Sequence, residues 1–353
     1  MSKLEMPDLN RRRFLLGGAA VGAGSLLVGC TSNAPQDAGA SKQVNSGPTG
    51  DNAKPGKHVT IGFSAPAADH GWIGAISKNA RSQAGQFKDV TLQATEGTND
   101  VNAQISAVRT LIDRKVDVLV ILPFDGKALT SVAQDAMTAG IPVVNLDRVF
   151  SSKLAYRTWI GGDNYGMGVN AGHYVADQLQ KAGKKNPVIV EVAGIDNLEL
   201  TQERSKGFKE ALASKGLSVT ARQAADFTPA NGRKVMANLL EAHPKIDAVW
   251  NHDDDQGIGV EAAIKQANRK EFFMVGGAGS AHVMKEIQSG GSVIKATVLY
   301  PPTMAASAIT LARLIGQSKT LTDLTEHEVP ASITTYSAVV TKENVGQYLP
   351  LGF

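Results

Sequence analysis

The sequence predicts an α/β protein made of two doubly wound domains, each built on a parallel sheet. Two observations predict this class: short runs rich in β-branched residues alternate with longer amphipathic runs from residue 58 onward, and the alternation restarts near residue 159. Strands that alternate with helices form parallel sheets with helices on both faces. The 353-residue chain is long enough for two such domains after its N-terminal segment.

The first half of the alternation predicts strands that are separated by amphipathic helices. Residues 58–63 have the apolar content of a buried strand, and residues 102–114 place Ile105, Val108 and Leu111 at helical spacing. The predicted strands are 58–63, 90–93, 116–122 and 141–146, and the predicted helices are 73–87, 102–114 and 129–139.

The second half repeats the same alternation with new residues. The predicted strands are 159–163, 187–192, 219–227, 246–251, 272–276 and 293–300, and the predicted helices are 170–179, 202–214, 232–242, 258–266, 284–288 and 302–314. In open α/β sheets, ligands bind beyond the carboxyl ends of the strands. The residues that follow each strand are therefore the candidates for a binding site.

Polar or aromatic residues follow the ends of six predicted strands. A single such residue is usually a solvated loop or a helix cap, but six in register with the strands favour a cleft between the two domains. The six strand ends are residues 69–73, 123–125, 147–148, 197–204, 252–255 and 300–302.

An uncharged apolar run precedes the only cysteine of the chain. Arg11, Arg12 and Arg13 stand before the uncharged residues 14–29, which end at Cys30. A basic start followed by an apolar run is typical of a secretory signal peptide, and about 16 residues are fewer than the ~20 that a membrane-spanning helix needs. We therefore expect residues 1–29 to be a signal peptide.

Residues 27–30 resemble the lipobox of bacterial lipoproteins. The resemblance implies that Cys30 is lipidated and tethers the exported protein to the outer face of the cell membrane. The arginine pair resembles the twin-arginine motif, although Asn10 stands where serine is usual, so Tat and Sec export both stay open. A buried cysteine of an intracellular protein and an uncleaved anchor are the alternatives. Small polar residues dominate residues 30–57, which predicts a flexible tether.

Composition excludes several kinds of site and partner. A lipidated Cys30 leaves the mature chain without a thiol for a disulfide or a cysteine-ligated metal. The formal charge is +3, and the signal segment carries Lys3 and three arginines against Glu5 and Asp8, a net of +2 that leaves +1 for the rest. This balance gives no electrostatic reason to expect nucleic acid as a partner.

Four ordered motifs resemble the ribose-binding family of type I periplasmic binding proteins. Residues 142–148 are similar to its IPV-x-x-x-DR signature, and residues 162–164 are similar to the opening of its second domain. Residues 203–208 resemble its ER-x-x-GF helix, and residues 224–240 resemble the strand–helix unit that follows. The similarity runs from about residue 58 to the C-terminus.

The resemblance implies domain boundaries and a hinge. Three crossing strands would join the domains and let them close over a ligand. The implied parts are an N-terminal domain of residues 58–162 plus 301–329, a C-terminal domain of residues 163–300 plus 330–353, and crossings near 161–163, 300–302 and 328–331.

The resemblance also implies a set of ligand-binding residues at the strand ends. Asp147, Arg148 and Arg204 would bind hydroxyl groups, because carboxylates and guanidinium groups form charge-assisted hydrogen bonds. Trp72 and Phe227 would cover the apolar faces of a carbohydrate. The full implied set is His70, Trp72, Ile73, Asp147, Arg148, Arg204, Phe227, Asp253 and Tyr300.

Some of these positions depart from the family pattern. Ala278 stands where the family usually has aspartate, and Tyr300 where glutamine is common. His70 replaces a frequent asparagine and Ile73 a frequent aromatic residue, whereas Asp253 fits the usual asparagine or aspartate. We therefore expect a ligand other than ribose bound in the usual way: another pentose or a hexose, or an acyclic polyol such as a tetritol or pentitol.

The sequence lacks the motifs of several enzyme classes. It has no Gly-x-Ser-x-Gly elbow, no P-loop, and no Gly-x-Gly-x-x-Gly after the first strand. The acidic run at 253–255 does not match a calcium-binding loop. Asp147 and Asp253 could face each other as in a glycosidase, but we expect Arg148 and Arg204 to keep both ionised. We therefore expect a protein that is not an enzyme and that has neither a cofactor nor a metal.

The export signal and the resemblance together predict a substrate-binding lipoprotein of an ABC importer for a small sugar or sugar alcohol. The implied partners are the permease and ATPase subunits, and we expect a monomer. Sugar-responsive transcription regulators share the core but carry an N-terminal helix-turn-helix, which this chain lacks. A receptor that presents its ligand to a sensor or chemoreceptor, and a binder of a non-carbohydrate polar metabolite, remain as alternatives.

Overall fold

The coordinates are a computed structural model that describes residues 52–68, 71–322, 324 and 326–353. The predicted signal peptide, Cys30, the tether up to residue 51 and the candidate ligand residue His70 lie outside the described residues. Within the described ranges, every helix is too short or too polar to cross a membrane.

Six of the described strands form one parallel sheet. They are β1 (Val59–Ser64), β2 (Val90–Ala94), β3 (Val118–Ile121), β4 (Val143–Leu146), β5 (Thr158–Gly162) and β11 (Ser332–Thr335). Their order is β11-β5-β4-β3-β1-β2. The helices against this sheet are α1 (Gly71–Gln86), α2 (Val101–Asp113), α3 (Gly126–Thr138) and α9 (Met304–Gly316). We call this sheet with its helices the first lobe.

Six further strands form the second sheet. They are β6 (Ile189–Ala193), β7 (Ala221–Ala224), β8 (Ala248–Asn251), β9 (Phe273–Ala278), β10 (Ile294–Leu299) and β12 (Val339–Thr341). Their order is β12-β10-β9-β8-β6-β7, and β12 alone runs antiparallel to its neighbour among these described strands. The accompanying helices are α4 (Asn164–Lys181), α5 (Glu199–Ala213), α6 (Pro229–Ala242), α7 (Asp254–Gln266), α8 (Ala281–Ser289) and α10 (Val345–Tyr348). We call this part the second lobe.

The central strands are buried on both faces. All residues of β3, β4 and β8 are buried, which explains why the sequence shows them as continuous apolar runs rather than as alternating ones. Aspartate side chains start several helices: Asp100 accepts from the Ala103 N–H at α2, and Asp125 accepts from the Ala128 N–H at α3. The two doubly wound parallel-sheet parts that the sequence predicts are confirmed.

One boundary of the sequence prediction is wrong. We assigned residues 330–335 to the C-terminal domain, but β11 pairs in parallel with β5, with Ser332 opposite Trp159 and Thr335 opposite Gly162. The last crossing between the lobes therefore falls between β11 and β12, after residue 335. The error arises because a short, half-exposed strand such as β11 carries no residue signal that tells which of two sheets it joins.

Candidate functional site

A small cavity lies between the carboxyl ends of the strands of the two sheets. Its volume is about 30 Å³, which is room for about two water molecules. Nine residues line it: Trp72, Asp147, Arg148, Leu200, Arg204, Phe227, Asp253, Ala278 and Tyr300. All of them come from strand ends or from the first two turns of the helices that follow, as the general rule for open α/β sheets requires.

Both lobes contribute side chains to this cavity. Trp72 stands at the start of α1, and Asp147 and Arg148 follow β4, so these three belong to the first lobe. The second lobe provides Leu200 and Arg204 from α5. It also provides Phe227 after β7, Asp253 after β8 and Ala278 at the end of β9. Tyr300 follows β10 on the segment that crosses to the first lobe.

Tyr300 occupies the middle of the group. Its hydroxyl donates to the Asp147 carboxylate and accepts from Asn164 Nδ2 at 3.1 Å. Its ring centroid lies 5.7 Å from that of Trp72, and its carbonyl accepts from Trp72 Nε1 at 2.7 Å. The Tyr300 side chain thus joins the first lobe to the second through direct contacts.

Arg204 is held in place by the backbone and by Asn164. Its Nε donates to Asn164 Oδ1 at 2.9 Å, and its Nη1 donates to the His252 carbonyl at 3.1 Å. The guanidinium carbon lies 4.5 Å from the ring centroid of Tyr300 and 5.8 Å from that of Phe227, within cation–π range. Nη2 has no hydrogen-bond partner among the described residues, so it is available as a donor to a ligand.

The first lobe presents a second guanidinium beside a carboxylate. Arg148 Nη1 donates to the Phe124 carbonyl at 2.7 Å, and its guanidinium carbon lies 5.7 Å from the Phe124 ring centroid. The backbone carbonyl of Asp147 accepts from Trp159 Nε1 at 2.8 Å. Asp147 and Arg148 are both buried. Their contacts with Trp159 and Phe124, which do not line this cavity, hold them in position.

Three of the lining residues have a left-handed backbone. The φ angles are 62° for Asp147, 61° for Phe227 and 83° for Ala278. A residue other than glycine in this region costs of order 1–3 kcal/mol, and such residues concentrate at functional sites. The concentration of three of them around one cavity is independent support for a functional role of the cavity.

The two buried carboxyl groups of the cavity resist ionisation. Burial raises the pKa of Asp147, against the opposing effects of the Tyr300 hydrogen bond and of the charges on Arg148 and Arg204. Burial and the Asp255 charge raise the pKa of Asp253 to about 8. Burial thus opposes the ionisation that we expected Arg148 and Arg204 to maintain, because loss of hydration acts against the attraction to the arginines.

Asp253 also has a structural role. One of its oxygens accepts from the backbone N–H groups of Asp255 at 2.9 Å and Gln256 at 3.1 Å, which makes it the N-cap of α7. Its neighbour Asp254 points away from the cavity lining and accepts from Gly277, Gly279 and Ser280 backbone N–H groups. Asp253 thus lines the cavity, whereas Asp254 stabilises the end of β9. The described residues contain no cluster of side chains able to hold a metal ion.

Most residues of the sequence-derived set come together in the structure. Trp72, Asp147, Arg148, Arg204, Phe227, Asp253 and Tyr300 all line the cavity. Ile73 does not: its side chain is 1% exposed and packs in the hydrophobic core, because the helical turn that aims Trp72 at the cavity turns the next residue inward. His70 lies outside the described residues.

Two residues of the site were not selected from the sequence. Leu200 lines the cavity, and its only signal was its place within residues 197–204 after a strand. Asn164 binds both Arg204 and Tyr300; it lay in a recognised motif but had no assigned role. A wider cavity of about 510 Å³ adjoins the first and shares Asp147, Arg148 and Leu200 with it.

Comparisons with known proteins agree with this geometry. Residues 61–320 match the periplasmic binding protein domain. The chain is 31% identical over 81% of its length to the ribose import binding protein RbsB of Bacillus subtilis, of which it covers 87%. It is also 31% identical to the galactofuranose-binding protein YtfQ of Escherichia coli, over 71% of this chain and 80% of that protein.

Solved structures resemble the two-lobed fold. An ABC transporter solute-binding protein from Mycobacterium smegmatis with bound glycerol superimposes with a TM-score of 0.74 at 26% identity, covering 83% of this chain and 97% of the other. A second protein from the same organism, in complex with β-D-fucofuranose, gives a TM-score of 0.73 at 29% identity, covering 83% and 94%.

Proposed function

The chain belongs to the periplasmic binding protein family, and on that basis we propose that it is the substrate-binding component of an ABC importer for a small sugar or sugar alcohol. The relatives in the comparisons are named as binding proteins for ribose and galactofuranose. They are binding proteins rather than enzymes, in agreement with the motifs that this sequence lacks. The substrate class of this chain is taken from these relatives and from the chemistry of its cavity.

The cavity shared by the two lobes is the observation that carries the proposal. It combines two guanidinium groups, two carboxyl groups and three aromatic side chains in one buried place. Hydroxyl groups need donors and acceptors at fixed positions, and Arg148, Arg204 and Asp147 provide them. The C–H faces of a carbohydrate need flat apolar surfaces, and Trp72 and Phe227 provide those.

Binding from both sides gives a reason for the lobes to close. Asp147 and Arg148 can contact the same ligand as Arg204 only when the lobes are together. A ligand shifts a conformational equilibrium by its difference in affinity for the two forms, so it favours the closed form. We propose that the three crossing segments between the lobes act as the hinge and that the closed form docks on a permease.

The N-terminal segment completes the proposal. We propose that residues 1–29 direct export by the Tat or the Sec route and that lipidated Cys30 anchors a monomer to the outer face of the cell membrane. Two or more acyl chains hold a protein stably on a bilayer, and the polar tether separates the lobes from that bilayer. Metabolic labelling with a fatty-acid analogue, followed by a Cys30→Ala comparison, tests the anchor.

A thermal-shift screen tests the binding function. The melting temperature of the protein without residues 1–29 is measured in the presence of pentoses, hexoses, glycerol and sugar alcohols of four to six carbons. Amino acids serve as control compounds of an unrelated class. A ligand that binds only the folded protein raises the melting temperature by mass action. We expect at least one carbohydrate or polyol to do so. Stabilisation by amino acids alone, or by no compound, would contradict the proposed substrate class.

A further inference from the structure

The side chain of Tyr300 lies at the cavity that the two lobes share. Its side chain is 2% exposed, and its ring lies between the indole of Trp72 and the guanidinium of Arg204. The space that remains beside it is about 30 Å³, which is too small for a polyol or a sugar, so any ligand requires the lobes to move apart to some extent. Any ligand of the cavity must therefore share it with a phenol ring.

The ring is fixed in this place by the backbone around it. A Cβ atom on Gly162 would lie 2.0 Å from a ring carbon of Tyr300, so the ring packs directly on the last residue of β5. The Tyr300 N–H donates to the Ala278 carbonyl at 3.1 Å, and the Tyr300 carbonyl accepts from Trp72 Nε1. Three elements thus position the residue, and the ring cannot turn aside without breaking several of these contacts.

The hydroxyl of Tyr300 already uses polar groups that a ligand hydroxyl would use. It donates to Asp147 and accepts from Asn164. Arg204 Nη2 has no hydrogen-bond partner among the described residues. The phenol therefore leaves fewer polar groups for the hydroxyls of a ligand than the cavity would offer without it.

A large ligand would also cost contacts between the lobes. The Trp72 N–H donates to Asp255 Oδ2 at 2.9 Å, from the first lobe to the second. Such a contact survives only if the lobes approach as closely as they do here. Each additional ring atom beside Tyr300 forces the lobes apart, whereas a short chain requires the least opening.

We propose that Tyr300 is a specificity-determining residue that restricts the site to short open-chain polyols such as glycerol or a tetritol. The inference rests on the proposed function and narrows its substrate class. The phenol ring takes the volume that a furanose or pyranose ring would need, and its hydroxyl replaces one ligand hydroxyl at Asp147. Ala278 also lines the cavity with a small side chain.

Isothermal titration of three proteins tests this inference. Glycerol, erythritol, ribose and galactose are titrated into the wild type, Tyr300→Gln and Tyr300→Phe. We expect the wild type to bind erythritol at least about tenfold more tightly than ribose or galactose, since a steric misfit of this kind is worth tenfold or more. Tyr300→Gln should reduce that ratio by about tenfold or more, because it removes the ring. Tyr300→Phe should keep the ratio, because it keeps the ring and loses only the hydroxyl.

The outcomes separate the inference from the function on which it rests. If the wild type prefers ribose or galactose, or if Tyr300→Gln leaves the ratio within about twofold, the restriction by Tyr300 is wrong while sugar binding stands. If none of the four compounds binds any of the proteins, the inference is wrong, and the proposed function falls with it only if no carbohydrate or polyol of the thermal-shift panel stabilises the protein. Should Tyr300→Gln fail to fold, Tyr300→Met removes the ring with an adaptable apolar side chain and repeats the measurement.

Discussion

Arg204 is the residue on which the binding account depends most. It is 4% exposed, it comes from the second lobe, and it faces the ring of Tyr300 and the cavity. A buried guanidinium without hydrogen-bonded partners is costly, and Asn164 and the His252 carbonyl satisfy only part of it. A ligand hydroxyl or carbonyl at Nη2 would satisfy more, which gives Arg204 a contribution to affinity as well as to structure.

Replacement of Arg204 by alanine should weaken binding strongly. Loss of one buried charged partner at an interface costs about 2–5 kcal/mol, so the dissociation constant should rise by at least about thirtyfold. Titration calorimetry with the best compound of the screen measures it. Arg233→Ala is the matched control, because Arg233 is an exposed arginine of the same lobe that contacts Gln266. A change within about twofold for Arg204→Ala would show that the cavity is not the binding site.

Residue identity and strand position explain what the sequence could predict about the site. Asp147, Arg148 and Arg204 lie at strand ends or in the first two turns of a helix, and they belong to recognisable motifs, so their meeting at one cavity was predictable. The opposite directions of the Trp72 and Ile73 side chains could not be predicted, because they depend on the exact angle of the first turn of α1. The central place of Tyr300 could not be predicted either, since the position of its ring is set by Gly162 and Trp72, which are remote in the chain.

One buried ion pair adds to the apolar packing of α9 on the first sheet. Arg313 on α9 donates from Nε and Nη2 to the two oxygens of Asp89 at 2.8 and 2.6 Å. It also donates to the carbonyls of Asn52 and Lys54 at 2.7 and 2.9 Å. The side chain is 1% exposed, so this single residue fastens the segment before β1 and the loop before β2 to a helix far along the chain.

Replacement of Arg313 by alanine should destabilise the protein by about 3–5 kcal/mol, because it leaves the buried Asp89 carboxylate without its charged partner. Urea unfolding measures the loss. Arg109→Ala on the exposed face of α2 is the control and should change the free energy of unfolding by no more than about 0.5 kcal/mol. Equal stability of Arg313→Ala and the wild type would contradict the role of this ion pair.

The same ion pair predicts a pH dependence. The hydrogen bond with Arg313 holds the pKa of Asp89 well below the usual value of an aspartate. A lowered pKa in the folded state contributes stability that is present above the unfolded pKa and is lost as the pH falls toward the folded one. The difference in stability between the wild type and Arg313→Ala should therefore shrink below about pH 4. Urea titrations at pH 7 and pH 3 measure it, and a constant difference would contradict the explanation.

Strand β11 marks the limit of element-level prediction. Long buried strands such as β1 and long amphipathic helices such as α2 were recognisable from their own residues. β11 has four residues with alternating half-exposure, and its partner β5 lies far earlier in the chain. Its sheet is decided by pairing at long range, which no local pattern reports, and the last crossing was misplaced for that reason.

The whole molecule is two similar lobes held together across the cavity by a few polar contacts. The Asp255 carboxylate accepts from the Trp72 N–H at the start of α1, where the helix dipole favours negative charge. A Cβ on Gly71 would lie 2.6 Å from Asp255 Oδ1, so the carboxylate sits directly against the first turn. This contact joins the lobes in the absence of a ligand. We expect it to raise the fraction of closed molecules in the ligand-free protein.

Replacement of Asp255 by asparagine should shift the molecule toward the open form. Loss of a charge at a helix N-terminus costs about 0.3–2 kcal/mol, and ligand affinity falls by the same free energy because binding must close the lobes. Small-angle scattering without ligand should show a larger radius of gyration, and calorimetry should show weaker binding. Asp177→Asn on the exposed face of α4 is the control. An unchanged radius and affinity would mean that Asp255 does not hold the lobes.

A crystal structure of the complex with the tightest compound of the screen tests the central claim most directly. We predict that the ligand lies between Trp72 and Phe227, with its oxygens within hydrogen-bond distance of Arg204 from one lobe and of Asp147 or Arg148 from the other. A ligand that contacts one lobe alone, or that lies outside this cavity, would contradict the account of how the protein binds its substrate.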